Sequence, residues 1–388
     1  MEEVEISLRR KLIRILGLLL IWACLFNSVT FGFSINARSV VLMDPVSGRV
    51  LYGQNEHQRL PPASVTKVMT MLLILEAVDQ GRVKWNEMIR TSAKAYGMGG
   101  SQVYLKEGEE FPLHEMFKAI AVVSANDASA AVAEHLYGSI MDFVEAMNER
   151  ARALGLKDTH FANETGLPDP AHYSSAYDLA VMSRELLKYP VVLKYTSVWL
   201  DTFRDGKFML RNTNELLREY RGADGLKTGH TAEAKFCLSA TAKKGDFRLL
   251  SVILGAPTNA QRIEQSKRIL DYGFRNFQWK LIRKSGEAGK VNVPGANPER
   301  VPVKLNSNFG AVISRGKDQL ITTRLVLNRG LKLPVEAGKA IATFNAYING
   351  KVVAAAPAYS MVKVKPANFF IRWWRTFLEL IQGLLGKK

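Results

Sequence analysis

The stretch Pro61-Pro62-Ala63-Ser64-Val65-Thr66-Lys67-Val68-Met69-Thr70 leads a serine and a lysine into an apolar run, and the fold reads outward from it. Prolines suit the entrance of a helix, where the first amides have no intrahelical partner. Ser64 is therefore expected in the first turn. Lys67, three residues on, projects from the same face, so the two side-chain tips can meet. A serine hydroxyl is a weak nucleophile, and an amine within hydrogen-bond reach activates it if that lysine is held neutral. The residues that follow, Met69, Leu72, Leu73, Ile74 and Leu75, make a run apolar almost all round, which predicts a buried helix. Lysine is seldom buried without a partner or a purpose. Spacing alone does not decide the matter: Ser314-Arg315-Gly316-Lys317 repeats the pattern in a glycine-rich β loop, where it reads as a solvated turn.

A chain of 388 residues, 47% hydrophobic, can bury a full core and is expected to make two domains. Its net charge of +17 is lopsided, because residues 277–388 hold 19 Lys and Arg against 5 Asp and Glu. No nucleic-acid module accompanies that charge, so an anionic membrane or wall polymer is the better partner and nucleic acid is not expected. Of the two cysteines, Cys24 lies in a presumed leader and Cys237 reads as a small buried hydrophobe in a strand, leaving no internal disulfide.

In chain order, residues 1–34 read as an export signal: Arg9, Arg10, Lys11 and Arg14 precede an apolar run of 12 residues, short for a membrane span. Two strands joined by a tight turn are expected at 39–44 and 49–52. After the Ser64 helix, helical patterns cover 113–123, 127–136, 140–154 and 176–187, with weaker strand candidates at 193–204 and 208–210. Strands return at 236–242 and 248–254, closed by a helix over 260–274. Strands at both ends with helices between predict one sheet built from the two ends of the segment 35–276. Residues 277–365 read as a separate all-β domain, with a hairpin turning on Asn349-Gly350. In 366–388 the residues Phe370, Trp373, Trp374, Phe377, Ile381, Leu384 and Leu385 follow helical spacing, with charges between them, which predicts an amphipathic helix lying on a membrane surface.

Two further clusters could complete Ser64 and Lys67. Ser124-Ala125-Asn126 falls between two apolar runs, like a short loop between buried helices; taken alone, Ser124 reads as a helix cap. Asp224-Gly225-Leu226-Lys227-Thr228-Gly229-His230-Thr231 leads into the strand containing Cys237. Lys227 would set a positive charge beside the site and depress the Lys67 pKa. Thr228 can bond a substrate carboxylate, Gly229 would let a substrate backbone run close, and His230 reads as structural support. The glycine-rich stretch 94–101 is expected to line the cleft rim.

Ser64-x-x-Lys67, Ser124-x-Asn126 and Lys227-Thr228-Gly229, in that order, resemble the three motifs of penicillin-binding proteins and serine β-lactamases. The strings at 153–161, 173–178 and 224–231 look like the D-alanyl-D-alanine carboxypeptidase branch. The resemblance implies a mixed α/β (α+β) fold: a β-lactamase/DD-peptidase-like antiparallel sheet flanked by helices, then a small all-β domain and the C-terminal helix. It implies that Ser64 attacks the bond between the terminal D-alanines of a peptidoglycan stem peptide, with Lys67 as base and with Ser124 and Asn126 assisting. The backbone amides of Ser64 and His230 would form the oxyanion hole, and Lys227, Thr228 and Arg262 would grip the terminal carboxylate. β-Lactam antibiotics are implied as inhibitors, with no cofactor or metal. No counterpart to the deacylating glutamate of class A β-lactamases is found, which favours a peptidase inhibited by penicillin over a β-lactamase. A wall- or membrane-binding protein with a relict fold is the alternative outside enzymes.

Overall fold

The computed structural model describes residues 33–316, 320–369, 371, 373 and 374. Residues 1–32 of the expected export signal and most of the expected C-terminal helix lie outside the described residues, as does Lys317.

Five antiparallel strands form the central sheet. The hairpin β1 (Ser39–Met43) and β2 (Val50–Gln54) comes from one end of the chain segment. From the other end come β5 (Ala223–Thr231), β6 (Lys235–Lys244) and β7 (Phe247–Ala256). The order β2-β1-β7-β6-β5 closes when β1 pairs with β7, Val41 facing Val252. All five residues of β1 are buried, as an interior strand covered on both faces must be. β5 is left as a free edge.

Between these ends runs a helical layer. A short 3-10 turn, Ala63–Thr66, passes into α1 (Lys67–Asp79), where ten of the thirteen residues are buried, so this helix is the centre of the core. Around it lie α2 (Leu113–Val123), α3 (Asn126–Tyr137), α4 (Ile140–Ala153) and α5 (Ala176–Leu186). Ser139 and Ser175 accept from the amides three residues ahead, which sets the starts of α4 and α5. The strand expected over 193–204 is only half present. Its first half is helix α6 (Val191–Thr196), started by Pro190, and only β3 (Leu200–Phe203), paired with β4 (Phe208–Arg211), is extended. The run is apolar enough for either state, and packing against α2 selected the helix. Helix α7 (Asn259–Asn276), capped by Thr258, packs across β7 and β6.

A second, separate hydrophobic core follows, built on strands alone. β8 (Phe277–Arg283) pairs with β11 (Phe309–Ser314); β9 (Gly286–Asn292), β10 (Arg300–Leu305), β12 (Ile321–Leu327), β13 (Ala340–Ile348) and β14 (Lys351–Ser360) form a five-stranded sheet of order β9-β10-β14-β13-β12. The turn between β13 and β14 has φ of 50° at Asn349 and 74° at Gly350, the double positive φ that an Asn-Gly hairpin adopts. Ser314 ends β11 opposite Phe277, far in sequence and role from Ser64. No described helix is long and apolar enough to cross a membrane.

Candidate active site

The 3-10 turn places Ser64 half-exposed at the head of the buried helix α1. Ala63, just before it, has φ of 48°, a left-handed conformation that costs a non-glycine residue energy and that the surrounding packing must hold. Lys67 is fully buried, with its ammonium nitrogen 3.2 Å from Ser64 Oγ, 2.6 Å from Asn126 Oδ1 and 2.9 Å from Thr165 O. Asn126 Oδ1 and Thr165 O can only accept. A neutral amine spends its two N–H bonds on them and turns its lone pair to the Ser64 hydroxyl, so the three contacts suit a base. Burial pulls the Lys67 pKa down from 10.5 to about 7, against the opposing pull of Glu164 and Asp127. The depression expected from Lys227 is thus supplied by desolvation. Lys227 is itself buried and pushed well below the ordinary lysine range, by desolvation and by the charges of Lys67 and Arg262.

Asn126 is aimed by the glycine-rich stretch that precedes it. Its side-chain amide donates to Gly99 O at 2.7 Å and its backbone amide to Ser101 O at 2.7 Å, which fixes Oδ1 toward Lys67. Ser124 ends α2 in a left-handed conformation, φ 66°. Its hydroxyl caps nothing: it is buried, lines the cavity beside Ser64 and has no hydrogen-bond partner among the described residues. A hydroxyl kept unpaired at such a position is free for a substrate or a proton in transit.

Strand β5 completes the site from the other side. Lys227 Nζ donates to Thr228 O at 3.0 Å, and Thr228 Oγ1 lies 2.6 Å from Thr213 Oγ1. Gly229 lines the cavity, and the packing gives a reason for it that the sequence did not suggest. A Cβ there would stand 2.7 Å from Pro62 O and 3.0 Å from the amides of Ser64 and Val65, so the missing side chain lets the strand lie against the serine turn. His230 is exposed, its ring 4.2 Å from that of Phe236. Arg262, from the first turn of α7, is buried; it donates to Asn259 Oδ1 at 2.5 Å and Cys237 O at 3.4 Å, and its Nε has no partner among the described residues. Burial and its neighbours hold Arg262 at about 10, still cationic. Ser64, Ser124, Thr228, His230 and Arg262 line one cavity of about 400 Å³. Cys237 is buried in β6 and its thiol, lifted by burial to about 11, is inert.

Sequence reasoning missed the loop 162–172 that wedges under the serine turn. Thr165 lends its carbonyl to Lys67, and Gly166, φ 84°, comes so close to Ala63 O that no side chain could fit. His172 accepts from Ala162 N at 3.2 Å and donates its other ring N–H to Thr66 Oγ1 at 2.7 Å; burial keeps it neutral, at about 4. Buried Asn148 bonds both Phe161 N and Phe161 O at 2.9 Å, anchoring the loop's start. The quoted strings at 153–161 and 173–178 flank this loop, and flanking signal was the only trace of it. Thr213 and Glu215, which also line the cavity, carried no signal. No group of three His, Cys, Asp or Glu among the described residues could hold a metal ion.

A serine set against a buried, easily deprotonated lysine, beside the free edge of an antiparallel sheet, marks the class of active-serine peptidases. The chain belongs to the D-alanyl-D-alanine carboxypeptidase family, whose model matches residues 27–258. The model described as penicillin-binding protein 5, C-terminal domain, matches residues 277–366. The chain is 41% identical over 352 residues to D-alanyl-D-alanine carboxypeptidase DacF of Bacillus subtilis, covering 89% of each. Among solved structures it resembles penicillin-binding protein 5 from Haemophilus influenzae, with 32% identity and a TM-score of 0.71 over 87% of this chain and 99% of that one. It also resembles penicillin-binding protein D2 from Listeria monocytogenes in the ampicillin-bound form, with 32% identity and a TM-score of 0.58 over 63% of this chain and 99% of that one.

Proposed function

We propose that Ser64 attacks the carbonyl between the two terminal D-alanines of a peptidoglycan stem peptide. A bond forms from Oγ to that carbon, the C–N bond breaks, and D-alanine leaves; water then hydrolyses the ester on Ser64. The single observation that carries this is the contact set of Lys67, two acceptors and one hydroxyl around a nitrogen lowered to about 7. Lys67 takes the proton of Ser64, and that proton is relayed through the Ser124 hydroxyl to the departing nitrogen, so Lys67 and Ser124 end as they began. The edge strand β5 offers backbone groups to an extended peptide, and the close approach of Gly229 to the serine turn supports the amides of Ser64 and His230 as the oxyanion hole. Lys227, Thr228 and Arg262 receive the terminal carboxylate, and the same group on a β-lactam. Asn126 holds Lys67 and orients the substrate amide. In a gel, a fluorescent penicillin should label the parent and not Ser64→Ala, and only the parent should release D-alanine from a pentapeptide; a labelled Ser64→Ala band refutes the assignment.

The assignment of 1–34 to an export signal, 35–276 to catalysis, 277–365 to a β domain and 366–388 to a membrane-anchoring helix belongs to the same proposal, and places the enzyme on the outer face of the cytoplasmic membrane. The basic C-terminal third suits an anionic surface. Removing 366–388 should free the protein from sedimented membranes; a truncated protein that still sediments refutes the anchor.

A further inference from the structure

The segment that runs from β4 into β5 serves two cavities. Thr213 faces the main one, Glu215 lines both, and Arg211 and Arg218 face a second cavity of about 420 Å³ floored by Trp199. The guanidinium carbons lie 5.2 Å and 5.4 Å from the centre of the Trp199 ring, so one indole positions both cations. Neither has a carboxylate partner among the described residues, although two glutamates share the cavity. Glu219 is engaged by Lys267 at 3.1 Å, and Glu215 accepts from Asn259 at 3.1 Å. Both arginines are exposed, and guanidinium groups held against one indole with open donors are arranged for an anion.

The second cavity shares one wall residue, Glu215, with the first. Arg262 bonds Asn259, Asn259 bonds Glu215, and Glu215 forms the shared wall. This is the end that receives the terminal carboxylate, so what lies beyond it is reached by the leaving group and not by the rest of the stem peptide. The leaving group is a free amino acid, with one ammonium and one carboxylate. The cavity presents two guanidiniums without carboxylate partners among the described residues and two carboxylates, Glu215 on the shared wall and Glu219, which Lys267 engages. We propose that Trp199, Arg211, Arg218 and Glu215 form a docking site for a small α-amino-acid zwitterion, occupied in turnover by the released D-alanine. The inference rests on the carboxypeptidase reading above.

The test uses the full protein acylated with penicillin, which fills the main cavity, and reads saturation transfer to D-[13C]alanine. Transfer is expected in the acylated parent, several-fold weaker in R211A/R218A, and weak for propionate, which lacks the ammonium. A variant that still takes the fluorescent penicillin label is folded; should the double variant fail to label, R218Q and the propionate comparison in the parent decide the matter. No transfer in the labelled parent, equal transfer in the labelled variant, or propionate matching D-alanine overturns the site. Absence of penicillin labelling in the parent would instead strike at the Ser64 reading, so the two failures are told apart.

Discussion

The pKa of Lys67 near 7 makes a quantitative demand on the rate of acylation. With that value roughly 9% of Lys67 is neutral at pH 6 and roughly 91% at pH 8, so the second-order rate of penicillin labelling should rise about tenfold between them and then level. A lysine at its ordinary 10.5 would give a rate still climbing about tenfold per pH unit at pH 9. The drop from 10.5 to about 7 corresponds to about 5 kcal/mol against the ammonium, an order-of-magnitude figure for a fully buried group. Its sign for folding is a cost. Between pH 7 and 10.5 the unfolded chain holds a proton on Lys67 that the folded chain does not, so stability rises with pH there; the cost is fully present below 7 and gone above 10.5. Labelling kinetics by stopped-flow fluorescence from pH 5.5 to 9.5, with urea unfolding of the parent and Lys67→Met at pH 7 and 9.5, read both effects. The gap in stability between parent and variant should shift in the parent's favour at the higher pH. A labelling rate flat across this range, or one still rising tenfold per unit at pH 9, would refute the claim that desolvation prepares the base.

Two further outcomes follow from the same geometry. Gly229→Ala forces a methyl against Pro62 O and the Ser64 amide, atoms of a backbone that cannot move aside, so it should cost about 1–3 kcal/mol in thermal unfolding and at least tenfold in labelling rate. Ser124→Ala removes a hydroxyl with no partner, so unfolding should be unchanged within about 0.5 kcal/mol while D-alanine release falls by about 10²–10⁴-fold; a variant as active as the parent excludes Ser124 from the proton path.

Much of this protein was legible because short-range chemistry wrote it. The Ser64–Lys67 pairing, the span of α2, the starts of α4 and α5 and the Asn349-Gly350 turn depend on residues within one or two turns of each other, and local patterns report those. The resemblance of three motifs named the partners of Ser64, though not their contacts. The strand expected at 193–204 failed because an apolar run suits either state and only its neighbours choose.

By itself, then, the order of residues determined which side chains could do chemistry and, outside the run 193–204, where the main helices and strands would fall. Tertiary structure alone decided that Thr165 O and Asn126 Oδ1 would take the two N–H bonds of Lys67, and that burial would lower its pKa. It also decided that Ser124 would be left unpaired, and that the bare Cα of Gly229 would let its strand lie against the serine turn. The reason is that desolvation and hydrogen-bond geometry are properties of a place, fixed by segments some sixty to a hundred and sixty residues apart, and no local pattern encodes which distant carbonyl will fill the space beside a lysine.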